Sequence, residues 1–431
     1  MAAQLPPSPP LTLFTTTPPV HPPTASYTGY KKSAVFSQWQ RQLQLQQYEP
    51  ACHWTAEADA SGWHDDLWAK LVVFASKHVH VHAPTLPTLL ARNFAYYRHY
   101  LHAHNVAPTT ASAGAQPRNR VELRQHLCQA VGLVALSAKG PVYTLPKVDT
   151  ARVDESKLVV GVHAWLLPHR TSGDTEAVVR LLSTVLWNLE QQDTPNVMYW
   201  LSVLLAYEKR QRAAKQPVTM AARQPLPPTD ATRAVAVEGK AAQDWAWLLW
   251  LALDTACVHY QRPAACRRAL RDLAYLFAHD YKTGRRTTRM PLVLHAMHLV
   301  RTDTLDWTRS VYPNDAAKAL VVKACTNIEV MYAEVQRRRE AVLAAAAKAR
   351  EDAMAAGGAA AVGGSAVEHA SGTASAGGGA VAVVATSSNN GANNARADDK
   401  GNKKKGKGGM SDDSKAKMDV MDSIDAHLFL F

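Results

Sequence analysis

Asp244-Trp245-Ala246-Trp247-Leu248-Leu249-Trp250-Leu251-Ala252-Leu253-Asp254 is the stretch on which the fold turns. A helix that spans a bilayer needs about 18–20 uninterrupted apolar residues. Here Asp254 stops the run after Leu253, so it reads as a helix buried on all sides in a water-soluble helical core. The run belongs to a helix expected near Gly239–Gln261, and further helices are expected near Pro263–Tyr281, Pro291–Val300, Asp303–Val311 and from Asn314 onward. The last continues through Arg337-Arg338-Arg339-Glu340 into the Ala/Lys/Arg run near Glu351.

Upstream the pattern is the same. Val35, Phe36, Trp39 and Leu43 share a face, and Cys52, His53, Trp54, Ala56 and Ala60 follow Pro50 up to a stop at Gly62. Trp63 to about Lys77 buries Leu67, Trp68, Leu71, Val72 and Phe74. After Pro84 and Pro87, Leu89, Phe94, Tyr97 and Leu101 recur at helical spacing. Residues 106–118 read as a loop, and a helix follows from about Arg120 to Ser137. Val142–Pro146 is short and extended, at most one edge strand. Helices resume at Asp154–Leu167, Asp174–Gln191 and Pro195–Lys215, the last with Thr194 as its N-cap. No alternating pattern recurs, and the eleven tryptophans suit a helix-on-helix core. The fold class is all-α.

Composition divides the chain. Residues 1–29 form a Pro/Thr-rich arm without an apolar period, and they lack the basic and apolar regions of a secretory signal. A helical subdomain covers 30–215, a Pro-bearing linker 216–237, and a second helical subdomain 238–353. Low complexity fills 354–417 and includes Lys403-Lys404-Lys405-Gly406-Lys407; a terminal apolar and acidic peptide occupies 418–431. Residues 346–431 carry ten Lys/Arg and ten Asp/Glu, so the net charge of +12 belongs wholly to residues 1–345. A folded body with that surplus favours polyanionic partners, nucleic acid or an acidic protein, although solubility alone is an equally good reason for it. The five cysteines are scattered, odd in number and without a C-x-x-C pair, which argues for reduced thiols and against a cysteine zinc site.

Candidate sites are of three kinds. Arg262, Arg267, Arg268 and Arg271, continued by Lys282, Arg285, Arg286 and Arg289 across a glycine turn, form a basic group suited to phosphates. Lys209, Arg210, Arg212 and Lys215 form a smaller one. Both are also what helix C-termini and solvated faces prefer. The terminal Leu428-Phe429-Leu430-Phe431 is either a motif presented to a protein partner or a segment that docks on the body. His78-Val79-His80-Val81-His82 has metal-ligand spacing if extended, with His99, His102 and His104 one helix later; a helix end with surface histidines explains it as well. His53 with Glu57, Asp65 with Asp66, and Asp174 with Glu176 read as packing and helix-start residues. No phosphate loop or dinucleotide fingerprint is present, and no cofactor is implied.

Several segments resemble an uncharacterised protein family of nucleocytoplasmic large DNA viruses, the giant viruses. They are Ala51-Cys52-His53-Trp54-Thr55-Ala56-Glu57 with Ser61-Gly62 and Leu67-Trp68, Ser76-Lys77-His78-Val79-His80 leading into Pro84 and Pro87, and Tyr143-Thr144-Leu145-Pro146-Lys147. Tyr199-Trp200-Leu201 with Tyr207-Glu208-Lys209, and Asp244-Trp245 with Trp247-Leu248-Leu249-Trp250, complete the likeness over about residues 30–340. The resemblance implies a viral factory in host cytoplasm or nucleus as the setting, and it brings no catalytic residues. The expectation is a non-enzymatic helical protein, without a membrane partner, that binds nucleic acid or proteins in viral genome replication, transcription or packaging. A virion or assembly protein is the alternative, and a histidine-metal enzyme the second alternative.

Overall fold

The computed structural model describes residues 24–103, 119–149, 153–216, 218–230 and 233–362, all within one compact unit, Met1–Gly363. Among them are twelve α-helices longer than one turn and no strand; one isolated bridge joins Ala25 and Lys31. The helices are α1 (Lys32–Gln44), α2 (Tyr48–Ala60), α3 (His64–His78), α4 (Leu86–Ala103), α5 (Val121–Leu136) and α6 (Glu176–Glu190). They continue with α7 (Thr194–Ala213), α8 (Trp245–His259), α9 (Ala264–Ala278), α10 (Arg286–Arg301), α11 (Asp315–Thr326) and α12 (Ile328–Val362). The all-α expectation holds. No helix of the described residues is long and apolar enough to cross a membrane.

The decisive run is α8, and it is central. Trp245, Trp247 and Trp250 are all buried, because a helix apolar on every face has nowhere to go but inside. Asp244 caps it, its Oδ1 accepting from the Ala246 N–H at 3.0 Å. Phe277 of α9 meets Trp247 and Trp250 edge-on at 5.6 and 5.5 Å. Around this centre α9 packs on α10 and α4, α10 on α3, and α4 on α5. Helix α2 then lies against α1, α5 and α12, and α11 lies on α5. Helices α6 and α7 form a hairpin whose first helix reaches α10.

The described residues of the segment 216–237, read as a linker, run over this body in close contact. Met220, Leu226 and Val237 are buried in the same core as residues on either side. Arg223 reaches the buried Asp174 at 2.5 Å, and the Arg223 N–H donates to the Ala242 carbonyl at 2.8 Å. Residues 24–29, counted with the arm, pack on the body. Both the N–H and the hydroxyl of Thr28 donate to Glu57, at 3.0 and 2.9 Å, supplying partners for a carboxylate that α2 buries.

Three expected elements are corrected. Residues 154–167 are not a helix but two 3₁₀ turns, Glu155–Lys157 and Leu167–His169. Between them lies Gly161 at φ 94, a left-handed conformation that ends helical progression. Residues 303–311 are irregular, because Asp306 Oδ1 accepts from the Thr308 N–H and hydroxyl at 2.9 and 2.6 Å, an alternative to helix hydrogen bonding. The helix expected from Asn314 onward is two, broken at Asn327. Smaller shifts concern α10, which begins before Pro291, and α7, whose N-cap is Asp193, one residue before Thr194. The extended segment 142–146 pairs with no strand. The loop 106–118 lies outside the described residues, as do 1–23 and 363–431.

Candidate polyanion-binding cleft

Helix α9 puts Arg268 on its exposed side, while Cys266, Ala269, Leu270 and Leu273 go inward. The irregular segment after α10 crosses in front of that side and brings Trp307, Arg309, Ser310 and Tyr312 to it. Helix α11 then starts at Asn314, whose side-chain oxygen accepts from the Ala317 N–H at 2.8 Å, and presents Lys318 to the same space. Thr85, Thr88 and Leu89, from the start of α4, close the opposite wall, with Leu133 of α5 beneath. The result is a cleft of about 430 Å³.

Its electrostatics are one-sided. Arg268, Arg309 and Lys318 are exposed, and none of the three makes an ion pair among the described residues. Two carboxylates act on them without forming an ion pair, and Asp306 also accepts from the Arg309 backbone N–H. Asp272, which acts on Arg268, is buried 3.7 Å from Arg233, and burial pushes its carboxyl up to about 6. Asp306, which acts on Arg309, is held in its turn by Thr308. Three exposed cations without an ion pair on one concavity attract phosphate or carboxylate groups.

Of the basic group read from the sequence, only Arg268 lines this cleft. Arg267 and Arg271 converge on Asp254, at 2.6 and 3.3 Å. Arg262 donates to the Val300 and Arg301 carbonyls at 2.7 and 2.8 Å, capping the end of α10. Arg286 is buried, bound to Asp244 and Glu208, and lies 4.6 Å from the Trp245 ring centre. Arg289 donates to the Phe277 and His279 carbonyls, and burial pushes its guanidinium down to about 10. These five charges are spent on contacts within the helical body. Lys282 and Arg285 stay exposed, Arg285 beside a separate small pocket that Asp65 and Asp280 also line. In the smaller group Lys209, Arg210 and Lys215 are exposed and Arg212 pairs with Glu208.

The histidines take a different arrangement from the extended one that metal binding needs. His80–His82 is a 3₁₀ turn, with His80 at φ 33. His80 Nε2 is 2.9 Å from the Pro141 carbonyl, and its ring lies 6.1 Å from that of His298, which stacks on Tyr143 at 4.3 Å. Among the described residues no group of three His, Cys, Asp or Glu side chains is placed to hold a metal ion. Burial holds His78 and His298 at about 4 and His295 at about 3, so these three rings are neutral at pH 7. The cysteines do gather: Cys52 and Cys128 Sγ are 3.1 Å apart, and the Tyr48 hydroxyl is 3.0 Å from Cys128. All five remain free thiols. Leu428–Phe431 and Lys403–Lys407 lie outside the described residues.

Trp307, Arg309 and Lys318 were not singled out in the sequence. The available signal was local: of the neighbours of Trp307 at helical spacing, Asp303, Thr304 and Ser310 are polar and Val311 alone is apolar, a poor helix face to join. With fold and cleft in view, comparison with protein-family models, curated proteins and solved structures finds no match.

Proposed function

We propose that this chain binds nucleic acid, and that the cleft between α9, α11 and the 302–314 segment is where it grips the phosphates. The observation that carries the reading is the convergence of Arg268, Arg309 and Lys318 on one concavity without an ion pair. Cations that form no ion pair release bound salt ions from a phosphodiester chain, which is the main source of nonspecific affinity. The surplus of positive charge in residues 1–345 acts in the same direction at longer range. The resemblance to a giant-virus family sets the context as genome replication, transcription or packaging. Reduced thiols and a chain without a membrane-spanning helix among its described residues agree with that setting.

The test is binding of the full chain to labelled single- and double-stranded DNA across a salt series. Affinity falls steeply with salt, and the double variant R268E/K318E both weakens binding and flattens the salt dependence. Losing two phosphate contacts lowers the slope of log K against log salt by about 1.4–1.8. Absence of binding at low salt, or a double variant that binds like the natural chain, overturns the reading.

A further inference from the structure

A site for phosphates alone needs cations and hydroxyls. This cleft also has an apolar floor and an indole. Leu133 and Val311 are buried beneath it, and Leu89 is partly buried on its wall. Trp307 is partly buried against the core, so its ring is held, yet it engages no other ring among the described residues. Thr85 and Ser310 also line it, and the Ser310 hydroxyl, which accepts from the Tyr312 N–H at 3.2 Å, keeps a proton to donate to a polar edge. At about 430 Å³ the cleft is within the size range of small-ligand sites, about 300–1,000 Å³.

Resting on the nucleic-acid reading above, we infer that the cleft takes one unpaired nucleotide of a single strand. Its base lies against Trp307 and the apolar floor, and the flanking phosphates lie on Arg268, Arg309 and Lys318. A base inside a duplex is covered on both faces by its neighbours and has none to offer the indole. A single strand presents base faces and phosphates alternately, the same two chemistries that the cleft sets side by side. Stacking is indifferent to base identity, so the site prefers unpaired over paired strands more than one sequence over another.

The experiment compares a short oligothymidylate, an abasic strand of the same length and the corresponding duplex, each titrated with the full chain at fixed salt. One stacked base is worth about 1–3 kcal/mol, so the thymidylate binds about 5- to 150-fold tighter than the abasic strand. W307A removes that difference by bringing thymidylate down to the abasic level, and W307F keeps most of it. Circular dichroism and the unfolding midpoint of each variant separate lost stacking from lost fold, and the abasic comparison needs no variant. If thymidylate, abasic strand and duplex bind alike with a steep salt dependence, phosphate binding stands and the base pocket is overturned. A duplex that binds more tightly than the single strand overturns it too. If none of the three shows salt-sensitive binding, the nucleic-acid reading itself fails.

Discussion

Asp174 accepts from the Thr171 and Ala221 N–H groups at 2.8 and 3.1 Å, and both nitrogens of the Arg223 fork reach it. Its carboxyl is held below the usual carboxylate range: burial acts to raise it, and the Arg223 guanidinium and the two N–H donors outweigh that. Both side chains are almost wholly removed from water. Asp174→Ala therefore strands a buried guanidinium and two backbone donors, and destabilisation of about 3–5 kcal/mol is expected in urea unfolding. Arg124 makes a similar case, with a fully buried guanidinium that Glu329 of α12 grips at 2.7 and 2.8 Å and that stacks 4.2 Å from the Tyr332 ring. What separates these arginines from Arg268 is burial and partnership, and neither can be counted in a sequence. Basic residues close together in the chain were legible there; which of them are already engaged depends on acids that are distant in sequence, such as Asp244 opposite Arg286.

At the scale of elements, the sequence was most informative where apolar spacing was long and regular. Helices α1 to α5 and α9 were readable to within a few residues because each carries a continuous buried face. It was least informative at 154–167 and 303–311, where apolar residues are present but glycine or an Asp–Thr turn offers the backbone another arrangement. The second of these segments is the front of the cleft, so the same feature hid both the break in the helix and most of the site. Asn314 ends the irregular stretch and starts α11, the helix that carries Lys318. Replacing it with alanine removes a capping hydrogen bond worth about 1 kcal/mol. Asn314→Ala is expected to lower the unfolding free energy by that amount and also to weaken polyanion binding, although Asn314 touches no ligand. Undiminished affinity alongside the stability loss would mean that α11 does not position Lys318 for binding.

At the scale of the whole molecule, pH acts through histidines that the fold keeps neutral. His295 of α10 is fully buried, 3.4 Å from the Ser76 hydroxyl, and it faces His80 and His298. The other charges that bear on the cluster are Lys77, Lys139 and Arg301, all cationic, and Tyr143 stacks at its edge. Residues 140–143 lie against it: Gly140 donates to the His78 carbonyl at 2.7 Å, the Pro141 carbonyl is 2.9 Å from His80 Nε2, and a Cβ at Gly140 would clash with the His82 and His80 rings. The folded state holds His295 at about 3 against 6.5 for the free side chain. A group depressed in this way takes up its proton in the unfolded chain first, so its contribution to stability is complete above pH 6.5 and declines as pH falls from there. By pH 5 the loss from His295 alone is about 2 kcal/mol, and His53, His78 and His298, held at about 4, add to it. Urea midpoints measured between pH 7 and pH 4.5 should fall steadily. His295→Gln, whose amide does not titrate, lowers stability at neutral pH and flattens that fall. A wild-type midpoint that stays level down to pH 5 would mean that the cluster takes up protons in the folded state, against the burial that surrounds it.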